Sequence, residues 1–199
     1  ASGIVFDTWA EPGTVTDDAE YVPGAGPVYW ALDDGYSAGS APHTGGRDPS
    51  TGFYVADSHP RAILPVQQRD DGRLCVFNED YACLKLSDTH IADVLALPYP
   101  MPDFVAHGPG SAEIRGRLFD AGLMPHQSTA NVEESIKELR RAFAPDANGW
   151  RRVLVHSQCV QLRAEMASYR YDPASGKPIK QFDHGPDALR GLVWILRHG

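Results

Sequence analysis

Two apolar runs, Ala62-Ile63-Leu64-Pro65-Val66 and Leu74-Cys75-Val76-Phe77, flank the turn Arg69-Asp70-Asp71-Gly72-Arg73, and this arrangement constrains the fold more than any other stretch. An Asp-Gly step supplies the backbone angles that a tight hairpin needs, so the two runs are expected as antiparallel neighbours. A further buried run lies upstream, Val28 to Leu32, closed by the turn residues Asp33-Asp34-Gly35. Downstream the pattern changes to strand, turn, helix. Ser87 stands where a cap starts a helix carrying Ile91, Val94, Leu95 and Leu97, and Pro98 stops it. Phe104-Val105-Ala106 runs into His107-Gly108-Pro109-Gly110, and a helix follows with Ile114, Leu118 and Ala121 before Gly122 closes it. A short strand at 123–127, a helix on Val132, Ile136, Leu139 and Phe143, a strand at 152–155 and a helix at 158–169 continue the alternation. A hairpin followed by alternating strands and helices gives an α/β domain with a mixed central sheet.

The 199 residues, 42% of them hydrophobic, are expected to form one domain spanning 1–199. Residues 1–27, rich in Gly, Pro and acids, read as a leading segment of loop or short strands; residues 37–60, rich in Gly, Ser, Pro and His, read as an insertion loop. No signal-peptide pattern and no apolar run of membrane length is present, so no membrane association is expected. Cys75, Cys83 and Cys159 have no C-x-x-C or zinc spacing and read as reduced thiols of a cytosolic compartment.

The formal net charge of −8 argues by itself against a nucleic-acid partner, but its distribution argues differently. Residues 1–100 carry 5 Lys/Arg against 15 Asp/Glu, whereas residues 101–199 carry 13 against 11. Arg140, Arg141, Arg151, Arg152, Lys177 and Lys180, with Arg163 and Arg170, are candidates to line a groove that tracks a phosphate backbone. Scattered solvated charges are the alternative.

The chemistry concentrates near the C-terminus, in Asp183-His184-Gly185-Pro186-Asp187-Ala188-Leu189-Arg190. On a helix His184 and Asp187, three residues apart, share a face, and Asp183 reads as a helix cap. Asp187 lies at the edge of an apolar face, where an acid needs a metal, a cation or a donor. Asp33, at the end of a core strand, is the expected partner. Carboxylates brought together from distant segments suit Mg²⁺ or Mn²⁺ held by oxygen ligands. Glu79 and Asp80 read as solvated hairpin-edge acids, and Glu165 as a structural residue. Asp57 with His59 is a further candidate pair in the insertion.

Three stretches taken in order, Ala31-Leu32-Asp33-Asp34-Gly35-Tyr36, Phe77-Asn78-Glu79-Asp80-Tyr81 and the run Phe104 to Ile114, together with the ending Asp183 to Arg190, resemble the nuclease domain of tailed-bacteriophage terminase large subunits. The resemblance runs from about Val28 to Leu196. It implies a ribonuclease H-like fold, a mixed central sheet flanked by helices. It also implies a two-metal endonuclease that cuts concatemeric viral DNA at the start and end of packaging in the infected cell's cytoplasm. Double-stranded DNA, an ATPase motor domain, a small terminase subunit and a portal are the partners it implies. Three acids hold the ions in that family. The first falls on Asp33 and the third on Asp187, with His184 to orient water or the leaving group; the second falls on His107, an imidazole in place of a carboxylate. That exchange removes a negative charge, so the second ion is expected to bind more weakly and the preference to shift toward Mn²⁺. The chain has no G-x-x-x-x-G-K-[ST] loop and is not expected to hydrolyse ATP by itself. A non-catalytic DNA-docking domain and another ribonuclease H-like nuclease, such as a junction resolvase or an integrase core, are the rival readings.

Overall fold

The computed structural model describes residues 3–109 and 112–199; Ala1, Ser2 and the Gly110-Ser111 pair that continues the His107 turn lie outside the described residues. Seven strands form one mixed sheet: β1 (Val28–Asp33), β2 (Arg61–Gln68), β3 (Leu74–Val76), β4 (Asp80–Ala82), β5 (Phe104–His107), β6 (Pro125–Gln127) and β7 (Val153–Val155). Their order is β6-β5-β1-β2-β3-β7, with β4 also paired to β2. The expected hairpin is present, with Gln68 opposite Leu74, and Gly72 takes the positive φ of its turn. Pro65 sits in this central β2 without breaking it. On one side β2 pairs with β4 through Arg61–Ile63 and with β3 through Val66–Gln68, so Pro65 falls where the partner changes.

The leading segment holds a single turn, α1 (Glu11–Thr14), whose Pro12 and Gly13 leave helical angles. The remaining helices cover both faces of the sheet. On one side, α2 (Ser87–Leu95) and α3 (Ala112–Asp120) pack Ile91, Val94, Ile114 and Leu118 against Trp30, Leu32, Ile63 and Val105. On the other, α4 (Val132–Phe143), α5 (Val160–Ser168) and α6 (His184–His198) cover Tyr29, Ala31, Leu64 and Val66 with Ile136, Leu139, Leu162, Leu189, Leu192 and Val193. Strand alternation divides β1 between these two cores. Ser87 lies inside α2; instead of capping it, its hydroxyl bonds Arg61 and Glu113.

Helix α6 lies across β1, β2 and β5 and against α4 and α5. Its first turn is buried at His184, Gly185 and Pro186, which is unusual for a helix start and brings the motif beneath the sheet edge. Strands β1, β5 and β6 run parallel, so their C-terminal ends share that edge. No helix among the described residues is long and apolar enough to cross a membrane.

Leu64, fully buried in the central strand, is the test of this layering. Leu64→Ala is expected to lower the unfolding free energy by about 2–5 kcal/mol, whereas Leu86→Ala, at a residue 65% exposed, changes it by less than about 0.5 kcal/mol. Urea denaturation measures both.

Candidate active site

Asp33 ends β1 on the face of Tyr29 and Ala31, the face that α6 covers, while Asp34 turns to the other. Between the end of β1, the end of β5 and the start of α6 opens a cleft of about 310 Å³. Asp33, Asp34, His107, Ser128, Lys180, Asp187 and Arg190 line it, with Leu32, Ile114 and Val132 as apolar wall. The three ligand candidates, Asp33, His107 and Asp187, thus border one space.

His184 joins α6 to β1. Its Nδ1 lies 3.1 Å from Asp33 Oδ2 and its Nε2 3.2 Å from the Ser58 carbonyl oxygen in the insertion loop. Both partners are acceptors, so both ring nitrogens donate and His184 is an imidazolium. Burial opposes its charge, but the bond to Asp33 and the nearby Glu165, Asp33 and Asp183 carboxylates outweigh this and push its pKa up to about 9. The expected role of orienting water or a leaving group is therefore corrected. Both nitrogens are engaged, and what His184 holds is Asp33. The Asp33 carboxyl is itself pushed up to about 6, by burial and by the negative charge of Asp187 and Asp183, against the lowering effect of His184.

Asp187 is set from two sides. Arg190 Nε bonds its Oδ1 at 2.9 Å and Lys180 Nζ its Oδ2 at 2.8 Å. Burial raises its pKa, but these two cations overcome that and hold it below the ordinary carboxylate range. Asp183 precedes α6 at the cap position but makes no capping hydrogen bond, contrary to expectation; its carboxylate meets Lys180 at 3.2 Å.

His107 differs from both acids. Alternation along β5 puts it with Val105, and its register partner on β1 is Leu32, so it reaches the cleft from the face opposite Asp33. Its Nδ1 donates to the Gly108 carbonyl at 2.7 Å, which leaves the Nε2 lone pair free. That Nε2 is buried and has no hydrogen-bond partner among the described residues. Burial lowers the pKa of the ring, which keeps it neutral.

Behind the site, Glu165 Oε2 accepts from Gly185 N at 2.7 Å and from the Tyr81 hydroxyl at 3.0 Å. A Cβ at Gly185 would collide with that hydroxyl and stand 2.7 Å from Leu162 Cδ1, so only glycine lets α6 start here. Glu165 is structural, as expected. Glu79 is not solvated: its two oxygens accept from Gln161 N and Leu162 N, both at 2.8 Å, and cap α5. Asp57 is bonded to Ser40, while the His59 ring stands edge-on to His184 with centroids 5.6 Å apart.

No protein-family model and no curated protein matches the chain. Solved structures do. The full-length large terminase of a thermophilic bacteriophage superimposes with a TM-score of 0.76 at 19% identity over 100% of this chain and 46% of that one. The P22 large terminase nuclease domain gives 0.73 at 20% identity, over 99% of this chain and 94% of that one. The chain has the fold of a large-terminase nuclease domain. The large terminase nuclease from thermophilic phage G20c with bound magnesium matches at 0.62 and 14% identity, over 100% of this chain and 98% of that one. The ribonuclease H-like mixed sheet expected from the sequence is therefore the observed fold, and the chain spans less than half the length of the first of these three proteins.

Within this terminase-nuclease fold the expected basic stripe comes apart. Arg151 and Arg152 precede β7, whose C-terminal end lies at the cleft edge, so both stand at the opposite edge of the sheet. Arg151 also bonds the Phe143 carbonyl. Arg140 donates to the Val5 carbonyl at 2.5 Å and meets Asp7, fastening the leading segment. Arg141 pairs with Glu138 near the far end of α4, about 14 Å along the axis from Val132 at the cleft. Lys180 is in the cleft but engaged by two acids. Arg190, missed as a site residue, was legible at three residues from Asp187. Arg117 and Lys85 were also missed; they line an adjoining cleft that shares Asp34.

Among the described residues no three His, Cys, Asp or Glu side chains are grouped as a ready metal site. The donor chemistry nevertheless fits a hard divalent ion: Asp33 and Asp187 supply carboxylate oxygens, and the His107 tautomer is the one a metal ligand needs.

Glu165 gives a pH test. Burial raises its pKa to about 7, against the lowering effects of His184, Gly185 N and Tyr81. A carboxyl raised in the folded state contributes stability in full below its unfolded pKa and loses it as pH climbs through the folded value. From pH 5 to pH 8 the protein is expected to lose stability relative to Glu165→Gln, by about 1–3 kcal/mol. Urea midpoints of both proteins across that range measure the difference.

Proposed function

We propose that this domain is a divalent-metal-dependent endodeoxyribonuclease of a viral packaging terminase, cutting concatemeric double-stranded DNA when packaging starts and ends in the infected cell's cytoplasm. The observation that carries the reading is the meeting of Asp33, from the end of β1, and Asp187, from the first turn of α6, at one cleft on the parallel strand ends. Bound magnesium in the G20c nuclease supports Mg²⁺ or Mn²⁺ as the ion. Such an ion, when bound, polarises a phosphoryl oxygen and activates water.

The chain's own residues have separate tasks in this reading. Asp33 and Asp187 offer carboxylate oxygens to the ion, and His107 offers Nε2 at the position of the second ion. His184 keeps Asp33 in place by holding it against the Ser58 carbonyl. Arg190 fixes the far oxygen of Asp187. Leu32, Ile114 and Val132 limit water at the cleft wall. Lys177, Arg117 and Lys85 hold DNA through phosphates, which positions the duplex without reading its sequence. An ATPase motor domain, a small terminase subunit and a portal complete the proposed assembly.

The neutral His107, arriving from the opposite face, also favours a second reading, a DNA-docking domain with an impaired site. Plasmid nicking separates the two. The expected result is cleavage with Mn²⁺ exceeding that with Mg²⁺, and a loss of ~10²-fold or more in Asp33→Ala and Asp187→Ala. No nicking with either ion would leave only the docking role. His107→Asp restores a carboxylate and is expected to raise Mg²⁺-supported cleavage; a fall instead marks the histidine as an adapted ligand.

A further inference from the structure

The two cations on Asp187 are not equivalent. Arg190 is largely buried, bonds Oδ1 and also donates to Ser135 Oγ at 2.7 Å, so it is fixed in the wall of the cleft. Lys180 bonds the other oxygen, Oδ2, at 2.8 Å and Asp183 Oδ2 at 3.2 Å. Its side chain is 64% exposed, whereas those of Asp187 and Asp183 are 10% and 6% exposed. A flexible ammonium at the cleft mouth therefore rests on two buried carboxylates. With Oδ1 committed to Arg190, and the Tyr169 hydroxyl also 3.4 Å from it, Oδ2 is the oxygen left for an incoming ion. Lys180 occupies that oxygen.

We propose that Lys180 is an intramolecular competitor of the divalent ion at Asp187, setting the metal concentration at which the site fills. The competition is electrostatic: an ion reaching Oδ2 must displace the ammonium, and the ammonium's attraction to two partly desolvated acids subtracts from the ion's affinity. An exposed lysine stem swings away at small cost, so the device restrains metal entry without blocking it. A lysine that merely braced the motif would have the opposite effect, because its removal would disorder Asp187 and weaken metal binding.

This inference rests on the metal-dependent reading above, and Mn²⁺ titration calorimetry without DNA separates their failures. Lys180→Met is expected to bind Mn²⁺ ~3- to 10-fold more tightly than the unsubstituted protein, and Lys180→Arg, which keeps the charge, to bind within about twofold of it. Lys180→Gln provides a second neutral variant, with circular dichroism confirming the fold of each. Equal or weaker Mn²⁺ binding by both neutral variants overturns the competitor role alone. Absence of Mn²⁺ binding in every protein, or binding that survives Asp187→Ala unchanged, overturns the metal reading at Asp187 and this inference with it.

Discussion

The bond between His184 and Asp33 is the contact on which the rest of the site depends, because it joins the end of the first strand to the start of the last helix across 151 residues of sequence. It is a charged bond in a half-buried place. The Ser58 carbonyl takes the second ring nitrogen, so the insertion loop, β1 and α6 meet on one imidazole. With both nitrogens donating, the ring fixes the orientation of the carboxylate without itself exchanging protons with a substrate. Glu165 and Tyr81 hold the backbone of the next residue, Gly185, which locates the helix start to which His184 and Asp187 both belong.

The site's charge is balanced with little surplus. Asp33, Asp183 and Asp187 face His184, Lys180 and Arg190, and the pairings differ in permanence. Arg190 and His184 are enclosed, while Lys180 is free to leave. Asp33 remains the acid least relieved of its neighbours' repulsion, as its raised pKa shows, and it is the carboxylate that gains most from an added cation. His107 adds a lone pair and no charge. A domain with the terminase-nuclease fold thus carries an oxygen-donor pair whose neighbouring cations tune access to it.

Much of the fold was legible in local sequence. The Asp71-Gly72 turn specified the β2–β3 pairing through its backbone requirements, and apolar periodicity located α2, α3, α4 and α6. The site was legible where chemistry clustered within one turn, as in His184, Asp187 and Arg190. It was illegible where roles depended on which group lay opposite. Glu79 looked like a solvated acid because its partners, the amides of Gln161 and Leu162, are remote in sequence. The basic residues looked like one stripe because sequence order does not reveal sheet edges; Arg151 and Arg152 stand at the far edge from the cleft, and Arg140 is occupied by the leading segment.

The sequence by itself determined that this is an α/β domain with a mixed sheet, and that acids end the first core strand and begin the last helix. These are properties of local periodicity, turn chemistry and side-chain type. Only the tertiary structure decided that His184 is a doubly donating cation, that His107 enters the cleft from the opposite face of the sheet, and that Lys180 sits on the acids of the motif. Each follows from strand alternation, register and partners brought together by packing, which no single stretch of chain contains.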